Sequence, residues 1–290
     1  MLQIEVIENY ELKTHSTFKI GGCAKRAFFP KTVDEFVQIL KELENPEKIT
    51  LRKSDFKDLI TKTIFSVAVD DARPILKGCL FEISAKEITA VALDGFRLAL
   101  VKKKIRSTTA EFSCIVPART LGEISKLLET EEDEDIEIYI QRNYLLINLG
   151  NTKIITRLLD GEFINYKQVI PANISSVVTI NTRQLQDGLD RASLLAKMDK
   201  NNLVRFDIKD TLLTLTSSSD IGNVTENITI ALEGKDLSIA FNARYFSDCI
   251  KIIDDEFVKI NFTSPIAPCT ISSTENGDYL YLILPVRIMS

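Results

Sequence analysis

The chain has 290 residues, is 45% hydrophobic and carries a net charge of −5. This length accommodates two domains, and no apolar run approaches the length needed to cross a membrane. A negative net charge argues against a protein that grips nucleic acid through a general positive field. The N-terminus has no basic stretch followed by an apolar one, so no signal peptide is predicted and a cytoplasmic location is expected.

Residues 1–48 form a short segment that differs from the rest of the chain. A polar stretch is interrupted at Gly21-Gly22, and an amphipathic helix is predicted over residues 33–43. Thr32 is the expected N-cap, and Glu35 follows at the spacing of a capping box. We predict a short α/β N-terminal segment that is too small for a secure core of its own.

From residue 49 onward the chain contains an internal repeat. Residues 49–68 match residues 178–196, and each stretch is a short strand followed by a helix. Ser54 is the expected helix cap in the first stretch, and Asn181 or Thr182 in the second. The apolar helix residues that are in register, 129 residues apart, are Phe56, Ile60 and Phe65 in the first repeat and Leu185, Leu189 and Leu194 in the second.

A second match joins residues 112–128 to residues 237–253. Pro117 is expected at the first helical position of one stretch, and Asn242, 125 residues later, at the N-cap of the other. Alternating strand-like runs follow each helix, among them residues 279–286. We therefore predict two α+β domains, residues 49–172 and 173–290, with helices side by side on one face and mostly antiparallel sheets on the other.

Between two short apolar runs in residues 88–100, Asp94-Gly95 predicts a tight β-corner. Gly95 is expected to take a positive φ because it has no Cβ to clash. On spacing alone this is an ordinary hairpin. The residues just beyond the corner are placed where a partner would meet them if a groove lay beside it.

Catalytic chemistry has little support in this sequence. His15 is the only histidine and precedes the repeats, so a Ser-His-Asp or Cys-His arrangement within them is excluded. The phosphate-binding motifs GxxxxGK[ST] and GxGxxG do not occur in the sequence. The acidic run at residues 129–137 lacks the spacing of metal ligands. The five cysteines are scattered with no CxxC pair, which favours buried free thiols. We expect a non-enzymatic scaffold or binding protein with no metal ion and no cofactor.

Four short motifs resemble one known family. They are RPILKGCLFE (residues 73–82), VALDGFRLA (91–99), LDGEF (159–163) with Tyr166 and the sequence VIP (169–171), and YLILPVR (281–287). In this order they resemble the bacterial DNA polymerase sliding clamp, the DNA polymerase III beta subunit. The resemblance covers the second and third of that family's three domains.

The resemblance implies a ring with double-stranded DNA threaded through its centre, helices lining the hole and sheets outside. The implied function is that of a DNA replication processivity factor, a non-catalytic subunit that slides on DNA through weak, diffuse phosphate contacts. Pairs with acids one turn away are expected for Lys62 (with Asp58) and for Lys251 (with Asp248). The implied DNA-facing residues are Lys57, Lys62, Lys126, Arg183, Arg191, Arg244 and Lys251.

The family also implies a hydrophobic groove that takes short peptide motifs from DNA polymerase, clamp loader and repair proteins. Phe96 stands where the family usually has His, and Leu93 where it usually has Thr or another small residue, so the expected groove is bulkier and more apolar. The implied groove residues are Leu76, Leu93, Gly95, Phe96, Arg97, Leu98, Ile164, Gln168, Val169, Ile266, Pro268, Leu282, Leu284, Pro285, Val286 and Arg287.

Residues 9–44 resemble a different protein, the start of the flavin-dependent UDP-N-acetylenolpyruvoylglucosamine reductase. The resemblance rests on LKTHSTFKIGGCA (residues 12–24) and FPKT (29–32) and stops before that enzyme's flavin loop, so it implies no activity. A fusion, a remnant and an engineered chimera are all open explanations. The alternative functions are a clamp-derived peptide-binding remnant that does not load on DNA and a fragment of a flavin-dependent cell-wall reductase.

The implied ring raises a question of assembly. The family ring closes through contacts between the first and third domains of two chains, and the resemblance includes no first domain. We therefore expect that this chain does not form the usual two-chain ring. Three two-domain chains in one ring are the alternative homo-oligomer, if the exposed edges of the two repeats pair.

Overall fold

The computed structural model describes residues 5–11, 23–42, 46–70, 72–128, 133–141, 143–149, 152–197, 202–275 and 277–287. These residues contain the helices α1 (Val33–Glu42), α2 (Lys53–Thr61), α3 (Ala118–Leu127), α4 (Thr182–Ala196) and α5 (Ala243–Ile250). Short 3₁₀ turns lie at Ile64–Ser66, Pro74–Lys77 and Tyr166–Gln168.

Nineteen strands lie in the described residues. The strands of the N-terminal segment and the first repeat are β1 (Glu5–Glu11), β2 (Cys23–Phe29), β3 (Glu47–Arg52), β4 (Gly78–Ile83), β5 (Glu87–Leu93), β6 (Arg97–Lys104), β7 (Ser107–Thr108), β8 (Phe112–Pro117), β9 (Asp135–Gln141), β10 (Tyr144–Leu149) and β11 (Thr152–Arg157). The strands of the second repeat are β12 (Ser176–Asn181), β13 (Leu203–Lys209), β14 (Leu212–Ser219), β15 (Gly222–Gly234), β16 (Leu237–Asn242), β17 (Phe257–Phe262), β18 (Cys269–Ser273) and β19 (Tyr279–Ile283).

One long sheet runs through both repeats. Its twelve strands follow the order β16-β13-β14-β15-β12-β17-β18-β19-β6-β5-β4-β8, while β11-β10-β9-β3-β7 form a second sheet and β1-β2 a small third one. The repeats meet where β19 pairs antiparallel with β6, with Tyr279 opposite Val101 and Ile283 opposite Arg97. The predicted α+β class, with helices and antiparallel sheets, is confirmed.

The helices pack in pairs over the sheets, α2 against α3 and α4 against α5. Phe56, Ile60, Leu185 and Leu189, which the repeat places in register, are fully buried in one apolar core. Leu194 is 64% exposed near the end of α4, and Phe65 lies beyond the end of α2 in the 3₁₀ turn Ile64–Ser66.

Three of the predicted helix starts are as expected. The N–H of Glu35 donates to Thr32 Oγ1 over 3.2 Å, and the N–H of Gln184 donates to Asn181 Oδ1 over 3.0 Å. Asn242 Oδ1 accepts from the N–H of Arg244 over 3.0 Å. These side chains satisfy donors that the first turn of a helix leaves without a partner.

Two predicted starts are displaced. Helix α2 begins at Lys53, so Ser54 lies inside its first turn, and the N–H of Ser54 donates to Asp133 Oδ1 over 3.0 Å. The carboxylate that serves this helix end is thus 79 residues away in the chain. Pro117 occupies the N-cap of α3, one position earlier than predicted, where its missing N–H costs no helical bond.

The predicted corner between β5 and β6 is confirmed. Gly95 has φ 95°, and Asp94 Oδ1 accepts from the N–H groups of Phe96 and Arg97 at 2.8 and 3.0 Å. The strands pair as Leu93 opposite Leu98. The strand predicted over residues 279–286 ends at Ile283, and the next N–H, of Leu284, donates to the carbonyl of Phe96 at the corner.

Candidate functional site

A compact apolar cluster lies where the two repeats meet, apart from the main core. We name it the junction cluster; its buried members are Ala68, Leu76, Leu80, Val91, Leu93, Leu98, Leu100, Ile115, Tyr166 and Leu282. Four predicted groove residues belong to it, namely Leu76, Leu93, Leu98 and Leu282. Leu282 of β19 stands opposite Leu98 of β6, so both repeats contribute to one apolar surface.

Several predicted groove residues remain exposed around this cluster. The carbonyl of Phe96 accepts from the N–H of Leu284 over 2.9 Å, so the corner and the C-terminal segment are neighbours. Pro268 directly precedes β18, whose first residue stands opposite Ile283, and this places Pro268 beside Leu284. The exposed apolar residues are Phe96, Ile164, Val169, Ile266 and Leu284, which are 36–75% accessible.

The other predicted groove residues are exposed or half-buried and do not belong to the junction cluster. Gly95 is exposed at the corner, and Gln168 is exposed in the connector between the repeats, residues 158–175 between β11 and β12. Pro285 and Val286 are half-buried, and the N–H of Val286 donates to the carbonyl of Ala240 over 2.8 Å. Arg287 is exposed at the end of the described chain. The groove as a whole stays a prediction.

Arg97 was predicted in the groove wall, but its side chain lies on the opposite face of the sheet. Successive residues of a strand point to opposite faces, so Leu98 enters the junction cluster while the Arg97 side chain turns to the helix face. There its Nη1 donates to Asp248 Oδ2 at 2.6 Å, its Nε to Asp94 Oδ2 at 3.0 Å and its Nη2 to the carbonyl of Phe65 at 2.7 Å. Only 7% of the side chain is exposed.

The surroundings of Arg97 keep it charged. Burial lowers its pKa, but the hydrogen bond to Asp248, followed by the charge of Asp94, outweighs that effect and the pKa is raised overall. The guanidinium carbon lies 5.4 Å from the ring centre of Phe65 and 4.8 Å from that of Tyr245. Since Tyr245 and Asp248 are on α5, this arginine fastens the first repeat to the second.

Tyr166 is a site residue whose anchoring role the sequence did not reveal. Its hydroxyl donates to Glu82 on β4, which together with burial raises the pKa of Tyr166, and Lys167 Nζ lies 3.3 Å from the other oxygen of Glu82. These bonds hold the connector against the first repeat. A cleft of about 840 Å³ lies under the connector, lined by residues 158–167 and strands β4, β8 and β9.

Most of the predicted DNA-facing cations already have carboxylate partners. Lys62 pairs with Asp58 as expected, at 3.6 Å, and also reaches Asp254 of the second repeat at 3.3 Å. The expected pair of Lys251 with Asp248 is not formed: Lys251 lies 3.1 Å from Asp190 of α4, and Asp248 is bound by Arg97.

The remaining predicted cations differ in whether they form an ion pair and in how far they are exposed. Arg191 makes a two-pronged pair with Glu226, both bonds 2.8 Å long, and Lys126 lies 3.0 Å from Glu123. Arg244 lies 3.8 Å from Asp248 and Lys57 is half-buried. Arg183, on the first turn of α4, is exposed and has no ion pair among the described residues.

The described part of the chain has no cluster of metal ligands: no group of three or more His, Cys, Asp or Glu residues there is arranged to hold a metal ion. Cys79, Cys114, Cys249 and Cys269 are buried free thiols. No helix among the described residues is both long and apolar enough to cross a membrane.

Two α+β repeats joined by one continuous sheet, with paired helices on one face, define a protein of the DNA clamp class. Family models match both repeats: the central domain of the DNA polymerase III beta subunit matches residues 50–165, and its C-terminal domain matches residues 167–287. The beta sliding clamp of Staphylococcus epidermidis is 32% identical over 275 residues, which cover 94% of this chain and 70% of the relative. The chain belongs to the beta sliding clamp family.

Solved structures agree with this assignment. A DNA polymerase III beta subunit from Eubacterium rectale superposes with a TM-score of 0.81 at 36% identity, covering 92% of this chain and 73% of that one. The sliding clamp of Bacillus subtilis gives a TM-score of 0.82 at 28% identity, covering 92% and 70%. The prediction of a sliding clamp of DNA replication, a non-catalytic subunit, is confirmed by these relatives.

The N-terminal segment is less clearly placed. Residues 12–22, which carry most of the reductase resemblance, lie outside the described residues. The Staphylococcus alignment covers 94% of this chain, so it extends into residues 1–48. Helix α1 lies against the first repeat, with Asp34 paired to Lys153 and Phe36 6.2 Å from Tyr144 between ring centres. The comparisons do not show the reductase resemblance, which stays a prediction.

Proposed function

We propose that this sliding clamp binds short peptide motifs of DNA polymerase, clamp loader and repair proteins in a groove over the junction cluster. The observation that carries the proposal is the pairing of Leu98 with Leu282 across the β6–β19 junction, inside one apolar cluster. A floor of aliphatic side chains with an exposed apolar rim suits a peptide with apolar anchors. The proposed domains are residues 49–172 and 173–290.

The corner residue Phe96 adds an exposed aromatic ring to the proposed groove. Its ring stacks on Tyr245 with 5.8 Å between ring centres and 19° between planes, and 58% of it stays exposed. An exposed aromatic ring beside an aliphatic floor favours a bulky apolar anchor in the peptide. Leu93 adds to the apolar floor as a buried member of the junction cluster.

The test is peptide binding by wild type and two matched variants. A fluorescent peptide carrying a polymerase clamp-binding motif is titrated with wild type, Leu284→Asp and Leu212→Asp. The two leucines are similarly exposed, 37% and 40%, but Leu212 is on β14, away from the junction cluster. We expect Leu284→Asp to weaken binding about tenfold or more and Leu212→Asp to leave it unchanged. Equal affinity of wild type and Leu284→Asp refutes the groove.

The helix face is proposed to look toward double-stranded DNA without gripping it. Carboxylates hold Lys62, Arg191 and Lys251, which leaves few free cations for phosphates. Such a surface supports sliding, since each tight phosphate contact adds salt-sensitive affinity that opposes movement. The proposed place of action is the cytoplasm, with DNA threaded through a ring of clamp repeats.

The same ion pairs favour a second candidate function, a peptide-binding protein that does not stay on DNA. Nicked circular DNA incubated with clamp loader and ATP separates the two. A chain that binds the peptide but elutes apart from DNA during gel filtration supports this second function.

The reductase resemblance of residues 9–44 is retained only as a hypothesis about the origin of that segment. A cell-wall reductase would need bound flavin. An absorbance spectrum of the purified protein, with and without added flavin, tests this. A colourless sample that takes up no flavin ends the reductase alternative.

A further inference from the structure

A free strand edge borders the cleft under the connector. Strand β8 is the last strand of the twelve-stranded sheet and pairs only with β4 among the described residues. The cleft, of about 840 Å³, is lined by Phe112–Ile115 of β8, by Ile140 and Gln141 of β9 and by residues 158–167. The open side of β8 therefore borders a space of the size that ligand pockets have.

The register of β8 determines which of its backbone groups face away from β4. In an antiparallel pair, successive residues alternate between bonding to the partner strand and pointing away from it. The carbonyl of Ile115 accepts from the N–H of Leu159 over 2.9 Å, so the backbone groups of Ile115 point away from β4. Ser113, two residues earlier and opposite Glu82, must point the same way. The N–H and the carbonyl of Ser113 therefore take no part in the β4 ladder.

Two further observations agree with this direction of Ser113. The N–H of Ser84 donates to the carbonyl of Glu87 over 2.9 Å, so every second residue of β4 before it, including Glu82, bonds to β5. Pro117, four residues after Ser113 on the same side of β8, has no N–H, as is tolerated where that group would leave the sheet. Ser113 is exposed and carries a donor and an acceptor without a strand partner, by which a sheet edge can take up another strand.

The cleft beside this edge is acidic. Its described lining carries the carboxylates of Glu47, Glu82, Asp160 and Glu162 and one ammonium group, that of Lys167. Lys167 lies 3.3 Å from Glu82, and Asp160 lies 3.5 Å from Arg157. Glu47 is half-buried and Glu162 is exposed, and neither forms an ion pair among the described residues. A negative lining with two unpaired carboxylates attracts a cationic ligand and repels phosphate.

A buried acceptor adds to the same lining. Gln141 Oε1, at the end of β9, is buried and has no hydrogen-bond partner among the described residues. A buried oxygen without a donor costs free energy, and a donor supplied by a ligand would offset that cost. Lysine and arginine side chains carry several donors and no acceptor, so they suit both this oxygen and the carboxylates.

We propose that the cleft binds an extended basic peptide segment of a partner protein, which adds to β8 as a further strand of the long sheet. Its backbone pairs with the N–H and carbonyl of Ser113, along an edge that four residues, Phe112–Ile115, extend over about 13 Å. Its lysine or arginine side chains reach Glu47, Glu162 and Gln141. A basic peptide is the occupant because the edge supplies backbone pairing and the lining supplies the opposite charge.

This cleft is distinct from the groove over the junction cluster. Of the predicted groove residues, only Ile164 of the connector also lines the cleft. Leu80, Ile115 and Tyr166 line the cleft and belong to the junction cluster, so the two sites lie on either side of the connector. The proposal does not require the groove, and Leu284→Asp should leave binding in the cleft unchanged. Failure of one site therefore leaves the other standing.

Fluorescence anisotropy with synthetic peptides tests the cleft in the full chain. The probe is a labelled hexapeptide in which lysine alternates with valine. One control peptide has every backbone amide N-methylated, which keeps the charge but removes the strand donors, and another has glutamate in place of lysine. We expect the wild-type chain to bind the lysine peptide and to bind both controls at least about tenfold more weakly. No binding of the lysine peptide, or equal binding of the N-methylated one, overturns the proposal.

Variants of the chain test the two parts of the site separately. Ser113→Pro removes an N–H that points away from β4, and Glu162→Gln removes a carboxylate at nearly constant size. Each is expected to weaken binding of the lysine peptide about tenfold. Glu233→Gln is the matched control, because Glu233 is an exposed acid of β15 without an ion pair among the described residues. Thermal unfolding verifies that the variants fold, and unchanged binding by both Ser113→Pro and Glu162→Gln overturns the proposal.

Amide hydrogen exchange locates the added strand. The N–H of Ser113 has no strand partner and should exchange quickly in the free chain, and the lysine peptide should slow its exchange about tenfold or more. Residues 222–228 of β15 pair only with β14 among the described residues and serve as a second open edge for comparison. Protection at residues 222–228 in place of residues 112–115 overturns the proposed site.

Discussion

Arg97, at the start of β6, and Asp248, on α5, are 151 residues apart in the chain and 2.6 Å apart between Nη1 and Oδ2. The pair ties a strand of the first repeat to a helix of the second, inside a frame of Phe65 and Tyr245. The guanidinium also donates to Asp94 and to a backbone carbonyl of the first repeat, which hold it in place for this charge-assisted bond.

Removing this link should destabilise the protein. Arg97→Ala leaves Asp248 and the Phe65 carbonyl without their donor, and we expect the free energy of unfolding to fall by about 2–3 kcal/mol. Urea denaturation followed by circular dichroism measures the loss. Arg244→Ala is the control, since Arg244 lies 3.8 Å from the same carboxylate and is 75% exposed. It should cost less than about 1 kcal/mol, and equal losses would contradict the assignment.

Two glycines should respond to alanine in opposite directions. A Cβ at Gly78 would lie 2.6 Å from Ile115 Cγ2 and 2.8 Å from Leu159 Cδ1, so Gly78→Ala should destabilise by about 1–3 kcal/mol. Gly122 lies inside helix α3 with nothing within 4 Å of an added Cβ. Gly122→Ala should stabilise by about 0.5–1 kcal/mol through helix propensity. Thermal unfolding decides, and the same sign for both would contradict these packing assignments.

The buried thiols should resist modification. Burial raises the pKa of Cys79 and of Cys114 from the usual 9.0 to about 12, and it also raises the pKa of Cys249 and Cys269. In a Cys23→Ser variant, we expect no reaction with a disulfide reagent near pH 8 until denaturant is added, because the thiolate is the reactive form. Rapid reaction of the native variant would show that these thiols are accessible.

The same pKa shifts predict how stability changes in alkali. Native thiols keep their protons where unfolded thiols lose them, so the unfolded state binds fewer protons. The free energy of unfolding therefore falls as pH rises from about 9 toward about 12. Below pH 9 both states hold these protons and the effect is absent. A Cys79→Ala, Cys114→Ala variant should lose part of this slope, as measured by urea denaturation across the range.

Free and paired arginines on α4 should differ in DNA affinity. Arg183 is exposed without an ion pair among the described residues, while Arg191 is held by Glu226. Arg183→Ala is expected to reduce the salt dependence of binding to double-stranded DNA by about one phosphate contact, and Arg191→Ala to change it less. Fluorescence anisotropy over a salt series measures both slopes. A larger effect of Arg191→Ala would place the DNA elsewhere on the helix face.

Much of the fold was readable from local patterns. The corner at Asp94-Gly95 needs only a turn residue and a glycine, and the caps Thr32, Asn181 and Asn242 act within three residues of themselves. The start of helix α2 was not predicted correctly, because the carboxylate that accepts from its first turn belongs to Asp133, 79 residues from Ser54. Capping patterns in the sequence identify partners within a few residues of the helix end, and they cannot identify a partner from a distant segment of the chain.

The candidate site likewise has features that could be predicted from the sequence and features that could not. Leu76, Leu93, Leu98 and Leu282 were predicted to share one apolar surface, and the structure gathers them in the junction cluster. The direction of Arg97 and the partner of Lys251 were not predictable, because both depend on how the second repeat docks on the first. Asp248 lies 2.6 Å from Arg97, and Lys251 lies 3.1 Å from Asp190.

The sequence by itself determined two α+β repeats, the tight corner between β5 and β6 and the apolar positions of the helices, because spacing and turn chemistry act over a few residues. Only the tertiary structure decided that β19 pairs with β6, that Arg97 turns from the groove to Asp248, and that Leu194 is left uncovered. Those outcomes depend on strand register between distant segments, and a shift of one residue reverses the face that every side chain of a strand presents.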